Sequence, residues 1–408
     1  MGKINRFIIS QWCSIPQRFL FDDDGNMNTW RLDENIDSGI NLVPVSYSPE
    51  LNKRAIEYCN KRGVMCTVED NVIASARFMK EGWQAELDGR IAFYKDIEGV
   101  ANYHIQDEPN KTDFDGLARV TSRIKEVDPV HQSYINLFPN YANRQQLGHD
   151  TYYEHVEDYI RTVKPELISY DHYHFLNRER KMRTDIQFSS ERERLIYEDA
   201  YKATSRDREG FFDNIEVIRE LSVKYGIPFM VIILVTEHGS YRNLTEAEIR
   251  WEVYQSMAYG AKGISYFTYW TPGYDEMWQW NNGMLLANGD RAQHYYDVKN
   301  INKDLIKVGE LLFDKDSLAV FNVGLPNESV KPFEPFDGVE NIEARMATVG
   351  FFTDDIMLIA NRDYVAEQTV TVVTQRELER FDKDTSAWVK TDKTVTIKPG
   401  DGEVFRLI

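Results

Sequence analysis

Short apolar or β-branched runs alternate with segments of helical periodicity over most of the chain. Eight such runs predict strands, at Phe7–Trp12, Ile40–Val45, Val64–Val68, Val100–Ile105, Ser133–Leu137, Leu167–Tyr170, Phe229–Val235 and Ile264–Phe267. The seventh run is apolar throughout, which is typical of a parallel strand that is buried on both faces.

Apolar residues spaced three or four apart predict helices between these runs. They include Phe114 to Val127, Tyr153 to Val163, Ile215 to Tyr225 and Tyr295 to Leu312. Thr245 and Glu248 form a capping-box pair at the start of another helix. Eight strands alternating with helices is the pattern of a (β/α)8 TIM barrel. A doubly wound open sheet is the alternative, but no Gly-rich phosphate-binding motif follows any predicted strand.

Beyond Leu312 the pattern changes to short alternating segments separated by Asn, Asp, Gly and Lys turns. Seven of them predict strands: LAVFNV, MATVGFF, IMLIAN, TVTVVT, AWVK, TVTI and EVFRLI. We therefore expect residues 1–314 to form the barrel and residues 315–408 a small antiparallel β-sandwich.

Two long loops follow predicted strand ends. Residues 176–210 form a charged insertion after the sixth strand, and residues 271–290 form a Trp-rich loop after the eighth. In a barrel both lie at the C-terminal ends of the strands, where barrel enzymes hold their active sites. We expect both loops to shape a substrate cleft.

Composition narrows the classes of partner. The 408 residues include 66 acidic against 48 basic residues, a net charge of −18. Nucleic acid and anionic membranes require clustered Lys and Arg, so this balance argues against both as partners. No stretch reaches the ~18–20 consecutive apolar residues of a membrane helix.

The cysteines and the N-terminus leave the compartment open. Cys13, Cys59 and Cys66 form no CxxC pair, which argues against a disulfide framework and against structural zinc. The N-terminal apolar run is interrupted at Gln11, unlike a signal peptide. The sequence is compatible with a cytoplasmic protein if Met1 is the native start, and with a periplasmic or secreted one if a signal peptide was removed. It does not predict the oligomeric state.

Two carboxylates follow apolar runs at predicted strand ends. Glu108 comes after strand four and Glu237 after strand seven. A charged group at such a position is costly unless it is paired or used. Each alone has a structural explanation, because a carboxylate is favoured where a helix begins. Strands four and seven lie on opposite sides of a barrel mouth, so the pair favours catalysis on a ligand between them.

Four segments carry a family resemblance: YHIQDEPN, ISYDHYHF, ILVTEHGS and FTYWTP. In order and strand placement they resemble the clan A retaining glycoside hydrolases, and most of all the branch of barrel β-galactosidases. The resemblance covers roughly Phe7 to Leu312. It implies a (β/α)8 fold, an oligo- or polysaccharide substrate, and no metal or organic cofactor.

The same resemblance implies roles for individual residues. Glu108 would be the acid/base and Glu237 the nucleophile that forms a covalent glycosyl-enzyme. Tyr173 would orient Glu237, and His172 is the alternative. The clan usually has Asn before the acid/base, whereas this chain has Asp107. A carboxylate there accepts rather than donates a hydrogen bond, and its charge would raise the pKa of Glu108.

Further side chains are candidates for contact with a sugar. Trp12, Trp270, Trp278 and Trp280 are candidates to stack on the apolar faces of sugar rings. Packing in the core or in loops is the alternative for all of them, and is favoured for each except Trp270. Asn136 and His172 are candidate partners for sugar hydroxyls, and each has an equally good structural explanation.

Two other functional classes compete with a glycosidase. His172 and His174 form an HxH motif, and His104 and His238 follow other strands, which suits a metal-dependent barrel hydrolase. Strand one, where such enzymes often place ligands, offers only Gln11 and Trp12. A non-catalytic glycan-binding barrel is the other alternative. It would keep the Trp residues but tolerate the loss of one acid, whereas both acids are present.

Overall fold

The computed structural model describes residues 5–179, 187–188, 190–191, 194–195, 198, 205–324 and 331–408. Part of the charged insertion predicted at 176–210 therefore lies outside the described residues. None of the described helices is long and apolar enough to cross a membrane.

Eight parallel strands form one sheet, which confirms the predicted barrel. Around the sheet they follow the order β1-β8-β7-β6-β5-β4-β3-β2. The strands are β1 (Ile8–Gln11), β2 (Leu42–Val45), β3 (Met65–Glu69), β4 (Val100–Asp107), β5 (Gln132–Leu137), β6 (Ile168–Asp171), β7 (Phe229–Leu234) and β8 (Gly263–Phe267). Every residue of β7 is buried, as its apolar sequence predicts.

Asn41 spans the seam between β1 and β2. Its backbone N–H donates to the Ile9 carbonyl oxygen at 2.9 Å, and the Ile9 N–H donates to Asn41 Oδ1 at 2.9 Å. Ser10 Oγ donates to the Leu42 carbonyl oxygen at 2.9 Å. β1 and β2 are not paired in a regular strand ladder, and these hydrogen bonds between them nearly close the barrel.

Helices alternate with the strands and cover the barrel. They are Gln17–Leu20, Thr29–Asp37, Pro49–Lys61, Asn71–Ser75, Trp83–Tyr94, Phe114–Val127, Arg144–Leu147, Tyr152–Val163, Phe211–Tyr225, Glu246–Ala258 and Gln293–Leu312, with 3-10 turns at Ala76–Phe78 and Lys111–Asp113. The predicted capping box is present, because Thr245 Oγ1 accepts from the Glu248 N–H and Glu248 Oε2 accepts from the Thr245 N–H. The apolar faces of these helices and the strands share one large core.

The C-terminal part is an antiparallel sandwich, as predicted. One sheet has the order β10-β13-β16 and the other β15-β14-β17-β12-β11-β9. The strands are β9 (Ser317–Val323), β10 (Val339–Glu343), β11 (Ala347–Phe352), β12 (Ile356–Asn361), β13 (Gln368–Thr374), β14 (Leu378–Asp382), β15 (Ala387–Thr391), β16 (Thr394–Ile397) and β17 (Gly402–Leu407). All seven predicted strands are present, and β10 and β14 were missed because charged residues dilute their apolar pattern.

The sandwich packs tightly against the barrel through the helix Glu246–Ala258. This helix contacts β11 and β12, and the large core includes Phe352 and Leu358 of the sandwich. At Gly350 any side chain would collide with the Ala258 carbonyl oxygen. The predicted domain boundary at residue 314 falls in the connection before β9 and stays a prediction.

Candidate active site

Glu108 is the first residue after β4, at the C-terminal mouth of the barrel. Its φ of +46° lies in the left-handed region, which costs a residue other than glycine about 1 kcal/mol. Its N–H donates to the Asn136 carbonyl oxygen at 2.8 Å. Asn110 and Asp113, not Glu108, form the capping box of the next turn. The structural explanation by helix capping therefore does not account for Glu108.

Asn136 donates hydrogen bonds to two carboxyl groups at the mouth of the barrel. Its Nδ2 donates to Asp107 Oδ1 and to Asp171 Oδ1, each at 3.0 Å. Its Oδ1 accepts from Ser169 Oγ at 2.9 Å. The side chain is buried and its polar atoms have protein partners, which agrees with the structural explanation of Asn136; a contact with a sugar hydroxyl stays a prediction.

The carboxyl groups of this cluster, Asp107, Glu108 and Asp171, hold their protons more tightly than isolated groups do. Burial first, and then the charge of Asp107, raise the pKa of Glu108 to about 7. Burial, followed by the charges of Glu108 and Asp107, raises the pKa of Asp171 well above its usual range. Asp107 is partly exposed to solvent. Burial of the rest of its carboxyl group nevertheless raises its pKa, and the Asn136 hydrogen bond opposes that shift. At neutral pH the cluster therefore retains protons that a general acid can use.

Asp171 is a site residue that the sequence analysis missed. It is the last residue of β6 and is only 5% exposed. The signal was present, since a carboxylate ends the run ISYD just as Glu108 and Glu237 follow theirs. The predicted strand stopped one residue earlier, at Tyr170. Because Asp171 is buried and favours its protonated form, it is poorly suited to attack a bound sugar.

Replacing Asp171 with Asn is expected to stabilise the protein at high pH. Folding raises the pKa of Asp171, so the folded state binds more protons than the unfolded chain, and wild-type stability falls as pH rises above the unfolded pKa of ~3.9. Asn accepts the same hydrogen bond and cannot ionise. The melting temperature of Asp171→Asn should exceed that of wild type by about 1–3 °C at pH 8, with no gain at pH 4.

The exposed residue Asp392 provides the matched control. Asp392→Asn should melt like wild type at both pH values. Destabilisation by Asp171→Asn that is larger at pH 8 than at pH 4 would show that the folded state needs an ionised Asp171.

Glu237 lies just beyond β7 and is half-buried. Its Oε2 accepts a hydrogen bond from Asn282 Nδ2 at 3.0 Å, and its carbonyl oxygen accepts from the Asn281 N–H at 2.9 Å. Among the described residues the carboxylate is therefore held by Asn282 of the loop after β8, not by Tyr173 or His172.

His172 is fully buried between the rings of Tyr141 and Phe211 and cannot meet a ligand directly.

The contacts divide the candidate site residues into two groups. Asp107, Glu108, Asn136 and Asp171 form one group after β4, β5 and β6. Glu237 belongs to a second group after β7 and β8, and it is not among the charges that shift the pKa of Glu108. Their joint action on one bond stays a prediction.

Several aromatic side chains pack against one another beside Glu237. His238 stacks on Trp280 with ring centroids 4.4 Å apart, and Tyr173 packs against Phe267 at 5.1 Å. The Gly239 N–H donates to the Trp278 carbonyl oxygen at 2.6 Å, which holds the Trp-rich loop against this group. Trp278 is 44% exposed, so its ring has a face free to stack on a sugar.

The other two predicted platforms are placed differently. Trp270 is only 3% exposed, because Phe19 packs on it at 4.6 Å and the Arg31 guanidinium lies 5.4 Å from its ring. Such a ring supports the mouth and offers little face to a ligand. Trp12 is half-buried and meets His104 edge to face at 5.5 Å.

A metal-dependent barrel hydrolase, one of the alternative functions, would need a group of metal-ligating side chains. In the described part of the chain, no three His, Cys, Asp or Glu side chains are grouped so that they would hold a metal ion. The histidines proposed for it have aromatic neighbours instead, such as Trp251, which stacks on His174 at 4.5 Å.

Comparison with known proteins places the fold. No protein-family model matches the chain, and no curated protein matches it either. Among solved structures, the β-galactosidase from Bacillus circulans sp. alkalophilus matches with a TM-score of 0.61 at 9% identity, and the match covers 99% of both chains. A glycoside hydrolase family 5 protein from Bacteroides vulgatus ATCC 8482 matches with a TM-score of 0.53 at 12% identity, covering 98% of this chain and 89% of the other.

A third match is to a longer protein. The β-galactosidase from the Antarctic haloarchaeon Halorubrum lacusprofundi has a TM-score of 0.49 at 13% identity, and the match covers 74% of this chain. The chain spans 58% of the length of that protein. At these identities, the Bacillus circulans and Bacteroides vulgatus matches show a shared fold and no more.

Proposed function

We propose that the chain is a glycoside hydrolase that cleaves a β-glycosidic bond with retention, with Glu108 as acid/base and Glu237 as nucleophile. The observation that carries the proposal is the environment of Glu108. A carboxyl group at the C-terminal end of β4, with strained backbone and a pKa of about 7, suits a group that must donate a proton and then accept one near neutral pH. The fold shared with a β-galactosidase and a family 5 glycoside hydrolase supports it.

The first half-reaction breaks the glycosidic bond. Glu108 gives its proton to the glycosidic oxygen while a Glu237 oxygen attacks the anomeric carbon. The bond between that carbon and the glycosidic oxygen breaks, the leaving group departs as an alcohol, and a covalent glycosyl-enzyme forms on Glu237. Asn282 Nδ2 donates a hydrogen bond to the attacking carboxylate, and the exposed ring of Trp278 would cover one sugar face.

The second half-reaction releases the sugar. Glu108, now ionised, takes a proton from water as the water oxygen attacks the anomeric carbon, and Glu237 leaves as a carboxylate. An ionised Glu108 beside Asp107 is a stronger base than an isolated carboxylate, because the two like charges favour proton uptake. Retention by this route requires the two catalytic carboxyl groups to lie ~5–5.5 Å apart in the working complex.

A panel of aryl β-glycosides tests the proposal. For each cleaved substrate, the anomer of the first-formed sugar is followed by NMR before it mutarotates. We expect the β-anomer first. The α-anomer first would indicate inversion. Binding of glycans without turnover of any substrate would favour the non-catalytic glycan-binding barrel.

Asp107→Asn is expected to shift the pH profile of kcat/KM. The Asp107 charge raises the pKa of Glu108, so removing it lowers that pKa, and the acid form of Glu108 is lost at lower pH. The basic limb, expected near pH 7 in wild type, should therefore move toward lower pH. Asp392→Asn should leave the limb in place. An unmoved basic limb in Asp107→Asn would mean that Glu108 does not set it.

A further inference from the structure

Arg208 is held at the barrel mouth by three tyrosines. Its Nε donates to the Tyr173 carbonyl oxygen at 3.1 Å, and its Nη2 donates to the Tyr241 hydroxyl at 3.0 Å. Its guanidinium carbon lies 4.0 Å from the centre of the Tyr141 ring. Tyr141, Tyr173 and Tyr241 follow β5, β6 and β7, so the guanidinium lies at the ends of the strands that carry the proposed site.

Arg208 is half-buried, yet within the described parts of the chain no carboxylate forms an ion pair with it. The neighbouring Arg242 shows the usual arrangement, because its Nε donates to Glu248 Oε1 at 2.9 Å and Asp207 lies 3.8 Å away. A half-buried cation without a counter-ion is unfavourable. A guanidinium has five N–H donors, and among the described residues none accepts a hydrogen bond from Arg208 Nη1, so that edge can bind an acceptor.

The Arg208 guanidinium lies on the side of the barrel mouth that carries Glu237. The hydroxyl of Tyr241 accepts from Arg208 Nη2, and the Tyr241 ring lies 4.8 Å from the ring of His238, the residue directly after Glu237. The Tyr173 N–H lies 3.5 Å from the Tyr141 hydroxyl, which ties the two tyrosines together. Tyr241 thus connects Arg208 to the residue next to Glu237, the proposed nucleophile.

We propose that Arg208 binds the carboxylate of a uronic acid, and that the substrate is a glycoside of such an acidic sugar. The inference rests on the proposed glycosidase function. Asp107, Glu108 and Glu237 would repel an anionic sugar unless a cation compensated its charge. A guanidinium held by Tyr173 and Tyr241 presents its free edge in the planar geometry that fits a carboxylate.

The test compares pairs of aryl substrates that differ only at C6: β-galacturonide against β-galactoside, and β-glucuronide against β-glucoside. Wild type should show the higher kcat/KM for the uronide of the preferred pair. Arg208→Gln should lower kcat/KM for that uronide by about 30-fold or more while changing the neutral partner far less. Arg208→Lys, which keeps the charge and loses the planar fork, should retain part of the preference. Because each ratio is measured within one variant, a partly unfolded preparation does not change it.

The control is Arg119→Gln, a change of the same kind on an exposed helix surface. It should leave the ratio as in wild type. A neutral glycoside cleaved in preference to its uronide, or the same ratio in wild type and Arg208→Gln, would overturn the assignment of Arg208 and leave the hydrolase standing. An Arg208-dependent preference for the sugar 6-sulfate over the uronide would overturn the carboxylate assignment. Failure to cleave any aryl glycoside would instead overturn the proposed function.

Discussion

Replacing Glu108 with Gln is expected to lower kcat/KM for an alkyl glycoside by about 10²- to 10⁴-fold, the usual contribution of a general acid. An aryl glycoside with a strongly acidic phenol as leaving group should lose far less in its first step, since such a phenolate departs without a proton. Its second step should slow, because the variant has no base to activate water. The glycosyl-enzyme should then accumulate and appear as a burst of released phenol.

Rescue of activity by a small anion distinguishes the loss of a catalytic base from misfolding. In Glu108→Ala, azide can enter the space left by the side chain and attack the glycosyl-enzyme without a base. Its product should be a β-glycosyl azide, and turnover of the activated substrate should rise with azide. Glu81→Gln, on an exposed surface, is the matched control and should behave as wild type. Equal losses on alkyl and activated substrates would contradict the role of Glu108 as acid.

Glu237→Gln is expected to lower kcat by on the order of 10⁵-fold on every substrate, whatever its leaving group. The amide is a poor nucleophile, so the covalent intermediate cannot form and no burst should be seen. In Glu237→Ala, azide should attack the substrate directly and give the α-glycosyl azide. The two alanine variants thus yield opposite anomers if the two carboxylates have the proposed roles.

A comparison with the neighbouring acid Asp171 tests whether Glu237 in particular is the nucleophile. Asp171→Asn should retain much more activity than Glu237→Gln, because Asp171 is buried and engaged with Asn136. If Asp171→Asn abolished the burst and Glu237→Gln kept it, the nucleophile would have to be reassigned to β6.

The fold was predictable because it depends on local pattern. Parallel strands that are buried on both faces, such as β7, give continuous apolar runs in the sequence. The missed strands differ in that respect. In β14 (Leu378–Asp382) only Leu378 and Phe381 are buried, and charged residues occupy the other positions. Its place between β15 and β17 depends on pairing with residues far along the chain.

The site was predictable only where a strand end marked it. Glu108 and Glu237 follow apolar runs, so the sequence alone predicted their position at strand ends; their roles stay a proposal. The burial of Trp270 depends on Phe19 and Arg31, which lie more than 200 residues earlier in the chain, and no periodicity reveals that contact. Asn282 comes from an irregular loop, where residue type and spacing give no geometry.

Covalent trapping tests the central claim most directly. Fluorine at C2 of the sugar destabilises the oxocarbenium-like transition states of both steps, and a reactive leaving group restores the first step alone, so the glycosyl-enzyme persists. The protein is incubated with the 2-deoxy-2-fluoro glycoside of its preferred sugar, digested, and mapped by mass spectrometry. The account predicts one added fluorosugar per chain, attached to Glu237. A label on Glu108 or Asp171, or inactivation without any covalent label, would contradict it.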